Sequence, residues 1–437
     1  MKIIEKIREQ GVVGAGGAGF PAHVKFNNKA EVIIINAAEC EPLLHKDKEL
    51  LLHKTEVFLK GLEIATSLVG AARTLIGIKG KNKKIIQHLK KKCGGNIEIK
   101  AIRDFYPAGD EITLIFETTG RIVGAGQLPI SQNIIVSNVE TIYNLAQPGP
   151  VISKFLTIGG YVKKPATLEV PVGTPFGAVI DFAVPLSRNF GVIVGGPMMG
   201  QILDSHEEGV SKTTGGIIVL PENHVLLNKY RDIATEKTVR KIGKAACDQC
   251  TFCTELCPRY LLGHPIEPHK AMRTLIFSSN YPGLDQFALH TLFCCECNLC
   301  SFYSCPEDLL PSTVCILNKR KALNDGKKYA GRISNKAFHL ADFRRIPVKK
   351  IMTKLDLLQF KNEGPLVDFP LKPEILKIAL KQHVGAPARP VVSKGEQIEK
   401  GQKLATCSGS LGSEIHSPIR GKILEITDKE ILVKKNS

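Results

Sequence analysis

The 437-residue sequence has no tryptophan and no long apolar run. No stretch approaches the ~18 consecutive apolar residues that a helical membrane span needs, so such a span is not expected. The opening "MKIIEKIREQ" lacks the apolar core of a signal peptide. The expectation is a cytoplasmic protein. Acidic residues are also scarce beside basic ones, 42 against 59, which gives a net charge of +17. Such a charge raises nucleic acid as a partner. The lysines, however, are scattered in short groups such as "KGKNKK", "KKK" and "VKK", with no aromatic-interleaved basic motif. Nucleic acid is therefore set aside.

Cysteine, by contrast, occurs thirteen times. In a reducing compartment this argues against disulfides and for metal ligation or redox chemistry. Cys247, Cys250, Cys253 and Cys257 have the spacing C-x2-C-x2-C-x3-C-P of the bacterial ferredoxin run. Cys294, Cys297, Cys300 and Cys305 repeat it with one extra residue before the last cysteine. In two-cluster ferredoxins the fourth cysteine of each run crosses to the other cluster. That assigns Cys247, Cys250, Cys253 and Cys305 to one [4Fe–4S] cluster, and Cys294, Cys297, Cys300 and Cys257 to a second. Cys295 falls out of register and reads as a bystander. Two zinc sites are the alternative, but zinc sites rarely use a third cysteine three residues on, followed by Cys-Pro. Cys93, Cys315 and Cys407 are isolated and read as packing residues. His264 and His269, in "GHPIEPH", are weighed as cobalt ligands, with packing as the default reading.

A second motif is "GVVGAGGAGFPAHVKF", with Gly14, Gly16, Gly17 and Gly19. Glycines let backbone amides close on a phosphate, and Lys25 could neutralise its charge. The string follows no obvious strand, so a Rossmann fingerprint is not established. A phosphate cradle and a plain flexible loop both remain open. A bound flavin would suit a chain with clusters, because flavins exchange electrons both in pairs and singly. Two clusters near −2 each and a flavin phosphate near −2 would bring +17 to roughly +11.

Alternating strand-like and helix-like runs make residues 1–147 α/β, with one helix expected over "KELLLHKTEVFLKGLEIATSLVG". "PGP" at 148–150 ends that unit. A small α+β module follows, then a helical cysteine-rich region, then short strands after about residue 371. In "MKIIEKIREQ", Ile3, Ile4 and Ile7 share a helical face. First-helix core packing is expected there rather than an encapsulation tag.

Together with "NAAECEP", "YPAGDE" and "SNVET", the glycine loop resembles the FMN site of the complex I flavin subunit and of Rnf C subunits. The resemblance implies FMN contacts at Gly14, Gly16, Lys25, Asn36, Glu39, Tyr106, Asp110, Glu111, Asn138 and Thr141, with Glu41 near the nicotinamide. Residues 154–204, with "GGPMMG", are similar to the family's soluble-ligand-binding β-grasp domain. The C-terminal stretch is similar to the lipoyl-like barrel-sandwich domain of Rnf C subunits, without an acceptor lysine. Its placement at this end, with "CCECNLCSFYSCP", resembles the PduS-type cobalamin reductase branch of propanediol-utilising microcompartments. The expected architecture is multidomain α/β: a Rossmann-like FMN/NADH-binding domain (1–147), a β-grasp domain (150–215), a helical two-cluster ferredoxin-like domain (216–370) and a barrel-sandwich domain (371–437).

The resemblance implies an enzyme that takes a hydride from NADH and delivers single electrons through two clusters to cobalamin. The implied partners are NADH, cobalamin or an adenosyltransferase that processes it, and microcompartment shell proteins. The alternative is a relay that feeds a partner reductase, such as a proline reductase.

Overall fold

Apolar runs in the first third of the chain become buried parallel strands. β1 (Val32–Ala37), β2 (Arg73–Lys79), β3 (Ile97–Ile102) and β5 (Ile134–Asn138) form a sheet in the order β3-β2-β1-β5. Val32, Ile33, Ile34 and Ile35 of β1 are fully buried, as a parallel strand covered on both faces requires. The short β4 (Phe105–Tyr106) stands outside this sheet and pairs with β11 (Ile346–Pro347). These features come from a computed structural model describing residues 2–233, 236–275, 284–334, 336–409 and 411–436.

Seven helices accompany the first sheet: α1 (Ile3–Glu9), α2 (Ala22–Phe26), α3 (Lys46–His53), α4 (Thr55–Val69), α5 (Lys83–Lys92), α6 (Glu111–Thr119) and α7 (Val139–Leu145). The single helix expected over residues 48–70 is divided at Lys54, whose φ of −123° and ψ of 25° leave the helical region. α4 buries Phe58, Leu62, Ala65 and Val69 at helical spacing. It ends on Gly70, whose φ of +70° suits a left-handed cap. Gly61 lies so close to α7 that a Cβ would overlap the Ile142 carbonyl. In α1, Ile7 enters the core while Ile3 is 54% exposed. Glu9 pairs with Lys403, so α1 is packed structure.

A second sheet runs β12-β7-β6-β10-β8-β9, from β6 (Ser153–Gly160), β7 (Ala166–Pro171), β8 (Phe190–Val194), β9 (Gln201–Ile202), β10 (Gly216–Pro221) and β12 (Leu366–Val367). It extends past residue 215, because the apolar run Ile217–Leu220 is buried between β6 and β8. α8 (Phe176–Ala183) packs on it through Phe176, Val179, Ile180 and Ala183. α9 (Val225–Ile233) and α10 (Glu236–Ala246) lead into the cysteine-rich segment.

At the C-terminal end, β13 (Ile375–Ala379), β14 (Arg389–Pro390), β15 (Gln397–Ile398), β16 (Lys403–Thr406), β17 (Ile415–His416), β18 (Gly421–Ile426) and β19 (Glu430–Lys435) form two small sheets. Their shared core contains Leu376, Ile378, Leu404, Ile415, Ile431 and Val433. Among the described residues, no helix is long and apolar enough to cross a membrane.

Candidate functional site

The order β3-β2-β1-β5 reverses direction between β1 and β5. In open parallel sheets the crevice beyond the carboxyl ends at such a switch is where ligands bind. Asn36 lies at the carboxyl end of β1 and pairs in register with Asn138, which ends β5. Asn138 also caps α7, accepting from the Glu140 amide. The glycine loop lies over this crevice, between α1 and α2 rather than after a strand.

The loop is closed by Gly14 donating to the Phe20 carbonyl at 2.9 Å and Gly19 donating to the Gly14 carbonyl at 3.1 Å. Ala15 donates its N–H to Thr141 Oγ1 at 2.9 Å. A Cβ on Gly16 would sit 3.3 Å from Asn138 Cβ. A Cβ on Gly17, whose φ is +111°, would meet nothing within 4 Å. The loop is therefore tight against the sheet on one side and open on the other, which fits a phosphate held by backbone amides.

The other residues of the expected flavin site surround the same crevice. Asn36 Nδ2 donates to the Gly109 carbonyl at 2.8 Å. Asp110 caps α6 through the Thr113 amide. Lys25 donates to the Val136 carbonyl at 2.9 Å and lies 3.4 Å from Glu111. Glu39 sits just beyond β1 at a φ of +26° and accepts weakly from the Asp47 amide. Burial, reinforced by Asp47, raises its carboxyl to about 7. Burial also pushes Glu41 up to about 7. Glu41 Oε2 accepts from the Met198 amide at 2.8 Å, while its Oε1 is buried with no hydrogen-bond partner. An acceptor left open beside the crevice fits a bound donor such as a carboxamide.

The two cysteine runs share a backbone pattern. Gln249 and Thr251 flank Cys250 with positive φ, and Glu296 and Asn298 flank Cys297 in the same way. That repeat aligns Cys294 with Cys247 and places Cys295 opposite Asp248. Cys247, Cys250, Cys253 and Cys305 line one small cavity. Burial and the neighbouring thiols of Cys305, Cys247 and Cys250 raise Cys253 to about 12. Cys257, Cys294 and Cys300 gather on the other side with Cys297 and Cys295. The first set takes Cys305 from the other run, and the second gathers five thiols, with Cys295 against Cys297. Both offer soft sulfur donors of the kind a cubane cluster uses, although among the described residues no group is arranged around a metal ion. The Cys294 thiol also reaches Cys315, which is buried. Cys407 is buried against His383 Nε2 at 3.1 Å, and Cys93 caps α5.

His264 and His269 are inward-facing. His264 Nε2 lies 2.9 Å from the Val123 carbonyl, and His269 Nδ1 lies 2.7 Å from Thr254 Oγ1.

Further side-chain contacts join these parts. Tyr106 donates its buried hydroxyl to the Cys297 carbonyl at 2.8 Å. Arg259, two residues after Cys257, pairs with Asp110 at 2.8 Å. Asn298 donates to the Met198 carbonyl at 2.7 Å, so "GGPMMG" touches both Glu41 and the second run. A Cβ on Gly196 would overlap the Glu41 carboxylate, hence glycine there. Beneath the loop, Lys46, Asp47, Glu140 and Lys154 form a buried ionic network. Burial draws the Lys154 amine down to about 8. Sequence reasoning missed these residues. The one local sign of Lys154 is a lysine near the start of an otherwise apolar strand, "SKFLTIGG".

Comparison with known proteins agrees with this layout. The Nuo51 FMN-binding domain matches residues 7–147, the 4Fe-4S dicluster domain residues 246–310, and the RnfC barrel sandwich hybrid domain residues 358–437. The chain is 33% identical over 271 residues to the C subunit of the Na(+)-translocating ferredoxin:NAD(+) oxidoreductase complex of Acetobacterium woodii. That match covers 59% of the chain and 58% of the relative. It is 38% identical to cobalamin reductase PduS of Citrobacter freundii over 437 residues, 99% of this chain and 96% of that protein. The Salmonella typhimurium (strain LT2) protein of the same name is 38% identical over 438 residues, with the same coverage. The cofactors are FMN and [4Fe–4S] clusters, and the protein is an oxidoreductase that transfers electrons between them. With near-complete coverage of two such relatives, the chain belongs to the PduS cobalamin reductase family.

Proposed function

We propose that the protein oxidises NADH and reduces cobalamin, with the flavin crevice and the two cysteine groups as successive stations. The single observation that carries this order is the buried Tyr106 hydroxyl on the Cys297 carbonyl, which ties the flavin crevice to the second run. In the first run Cys250 is exposed. FMN, when bound, supplies the conversion between two-electron hydride chemistry and one-electron transfer.

The chain's own residues then divide the work. Gly14, Gly16, Gly17 and Gly19 cradle the phosphate, and Lys25 adds positive charge. Asn36, Asn138, Thr141, Asp110 and Glu111 shape the crevice at the strand ends. Glu39 and Glu41, held near 7 by burial, line the side where the nicotinamide docks. Tyr106 fixes the spacing to the second run. Cys257, Cys294, Cys297 and Cys300 hold the inner cluster, and Cys247, Cys250, Cys253 and Cys305 the outer one. Cobalamin as acceptor follows the names of the full-length relatives. On this reading the protein works in the cytoplasm inside a microcompartment, beside shell proteins and an adenosyltransferase.

Gly16→Val tests the layout. Its branched side chain cannot share the space of Asn138, so FMN binding is lost while both clusters remain. Dithionite then bleaches the visible iron–sulfur absorbance and NADH does not. Normal bleaching by NADH in the flavin-free variant overturns the order. Turnover of the parent with free cob(III)alamin supports the reductase reading. Turnover only with a protein partner supports a relay like the matched Acetobacterium woodii protein.

A further inference from the structure

Lys154 begins the run of buried residues in β6, and its side chain is 1% exposed. An amine at that depth is costly unless it is paired and hydrogen-bonded. It has two partners. One is the Glu140 carboxylate, which Lys46 at 3.2 Å and the Phe155 amide at 2.9 Å also serve. The other is the Ala15 carbonyl at 3.0 Å, which lies in the middle of the glycine loop.

Ala15 stands between Gly14 and Gly16, and both of its peptide groups are pinned. Its N–H goes to Thr141, and its carbonyl goes to Lys154. Across a trans peptide the carbonyl of one residue and the N–H of the next point in opposite directions. Holding the Ala15 carbonyl toward the buried lysine therefore turns the Gly16 N–H the other way. Glycine has no intrinsic preference that would keep the peptide so oriented. The restraint has to come from outside the loop, and Lys154 supplies it from the neighbouring β-grasp sheet.

We infer that Lys154 is a positioning residue for the flavin phosphate, acting through the Ala15 carbonyl to aim the Gly16 amide into the cradle. This rests on the reading of the loop as an FMN phosphate site. It makes a demand that a merely structural lysine does not: the effect must follow the phosphate and spare the ring.

Riboflavin, which lacks the phosphate, separates the two. The affinity of the flavin-free, full-length protein for FMN and for riboflavin is read anaerobically from flavin fluorescence. The parent should prefer FMN. Lys154→Met should weaken FMN by about tenfold, the loss of one charge-assisted hydrogen bond's worth of ordering. Riboflavin affinity and iron content should stay at parental values. Lys46→Met removes the other lysine on Glu140 without touching the loop, and should leave the FMN-to-riboflavin ratio unchanged. Equal loss of both flavins in Lys154→Met, or no loss of FMN, overturns the inference. A parent that does not distinguish FMN from riboflavin overturns the phosphate reading instead. Should Lys154→Met not retain its iron, the ratio is read on Lys154→Gln, which keeps a donor without the charge. A parental ratio there, with FMN and riboflavin both weakened, also overturns the inference.

Discussion

The runs Cys247–Cys257 and Cys294–Cys305 differ by one residue, and the backbone shows where that residue goes. In the first run Phe252–Glu255 forms one α-helical turn, with Cys257 N–H on the Thr254 carbonyl at 3.0 Å. In the second, residues Cys300–Ser304 form a π-helical turn, with Cys305 N–H on the Cys300 carbonyl at 3.1 Å. A π turn absorbs one inserted residue without changing what precedes or follows it. The runs also differ in depth. Cys250 is exposed and Phe252 beside it is 49% exposed, whereas Cys297 is buried under Tyr106. The same cysteine spacing thus occurs in two settings, one run with Cys297 under Tyr106 and one with an exposed cysteine.

The register is the sharpest place to break this comparison. Cys297→Ala should lose about four of eight irons, because a cubane without one thiolate is not retained. Cys295→Ala, opposite Asp248 in the first run, should keep both clusters. Anaerobic iron and sulfide analysis decides. Iron loss from Cys295→Ala together with full retention in Cys294→Ala would show that the second run is read one residue out of place.

Two arginine ion pairs sit at the end of the first run, one on either side of Cys257, and should differ in worth. Arg259→Met leaves Asp110 largely buried and unpaired, and should cost about 3 kcal/mol in urea unfolding. Arg344→Met, which breaks the more exposed pair with Glu255 beside the first run, should cost less than about 1 kcal/mol. Equal costs would mean that burial does not set the worth of these two pairs.

Glu41 gives the inner station a pH dependence. Its folded pKa of about 7 lies above the unfolded value of 4.5, so the folded state binds the extra proton between them. Its contribution to stability is complete below about pH 4.5 and is lost as pH rises through about 7. Flavin-free Glu41→Gln should therefore lose less stability than the parent between pH 5 and 8 in parallel unfolding titrations. Identical slopes would remove Glu41 as the cause. Tyr106→Phe should cost about 1 kcal/mol, the worth of one neutral hydrogen bond to the second run. Denaturant midpoints of the two proteins measure it.

The 4Fe-4S dicluster region was legible in the sequence because its cysteine spacing is local and repeated. The glycine loop was legible as a run of residues without side chains. The strand ends at Asn36 and Asn138 were readable as motifs, but their direct pairing required the sheet order. What joins these parts was not legible. Lys154 and Ala15 are 139 positions apart, and Arg259 and Asp110 are 149 apart. No period or motif connects such residues, and only the packed sheets bring them together. The break at Lys54 was hidden for a simpler reason: lysine is a good helix former and carries no stop signal.

The barrel-sandwich domain reaches back to the start of the chain. The Val384 N–H donates to the Gly19 carbonyl at 3.0 Å. Lys212 Nζ bridges the Gly11 carbonyl at 2.8 Å and the Glu414 carbonyl at 2.7 Å. This sets an order of maturation. A nascent chain synthesised as far as residue 370 already contains all the cysteines of both runs, yet the contacts that brace its glycine loop from the far end have not been made. Domains fold as they emerge, N-terminal segments first. If the loop needs that bracing to hold a flavin, the cluster region can mature on the growing chain while flavin capture waits for the last domain.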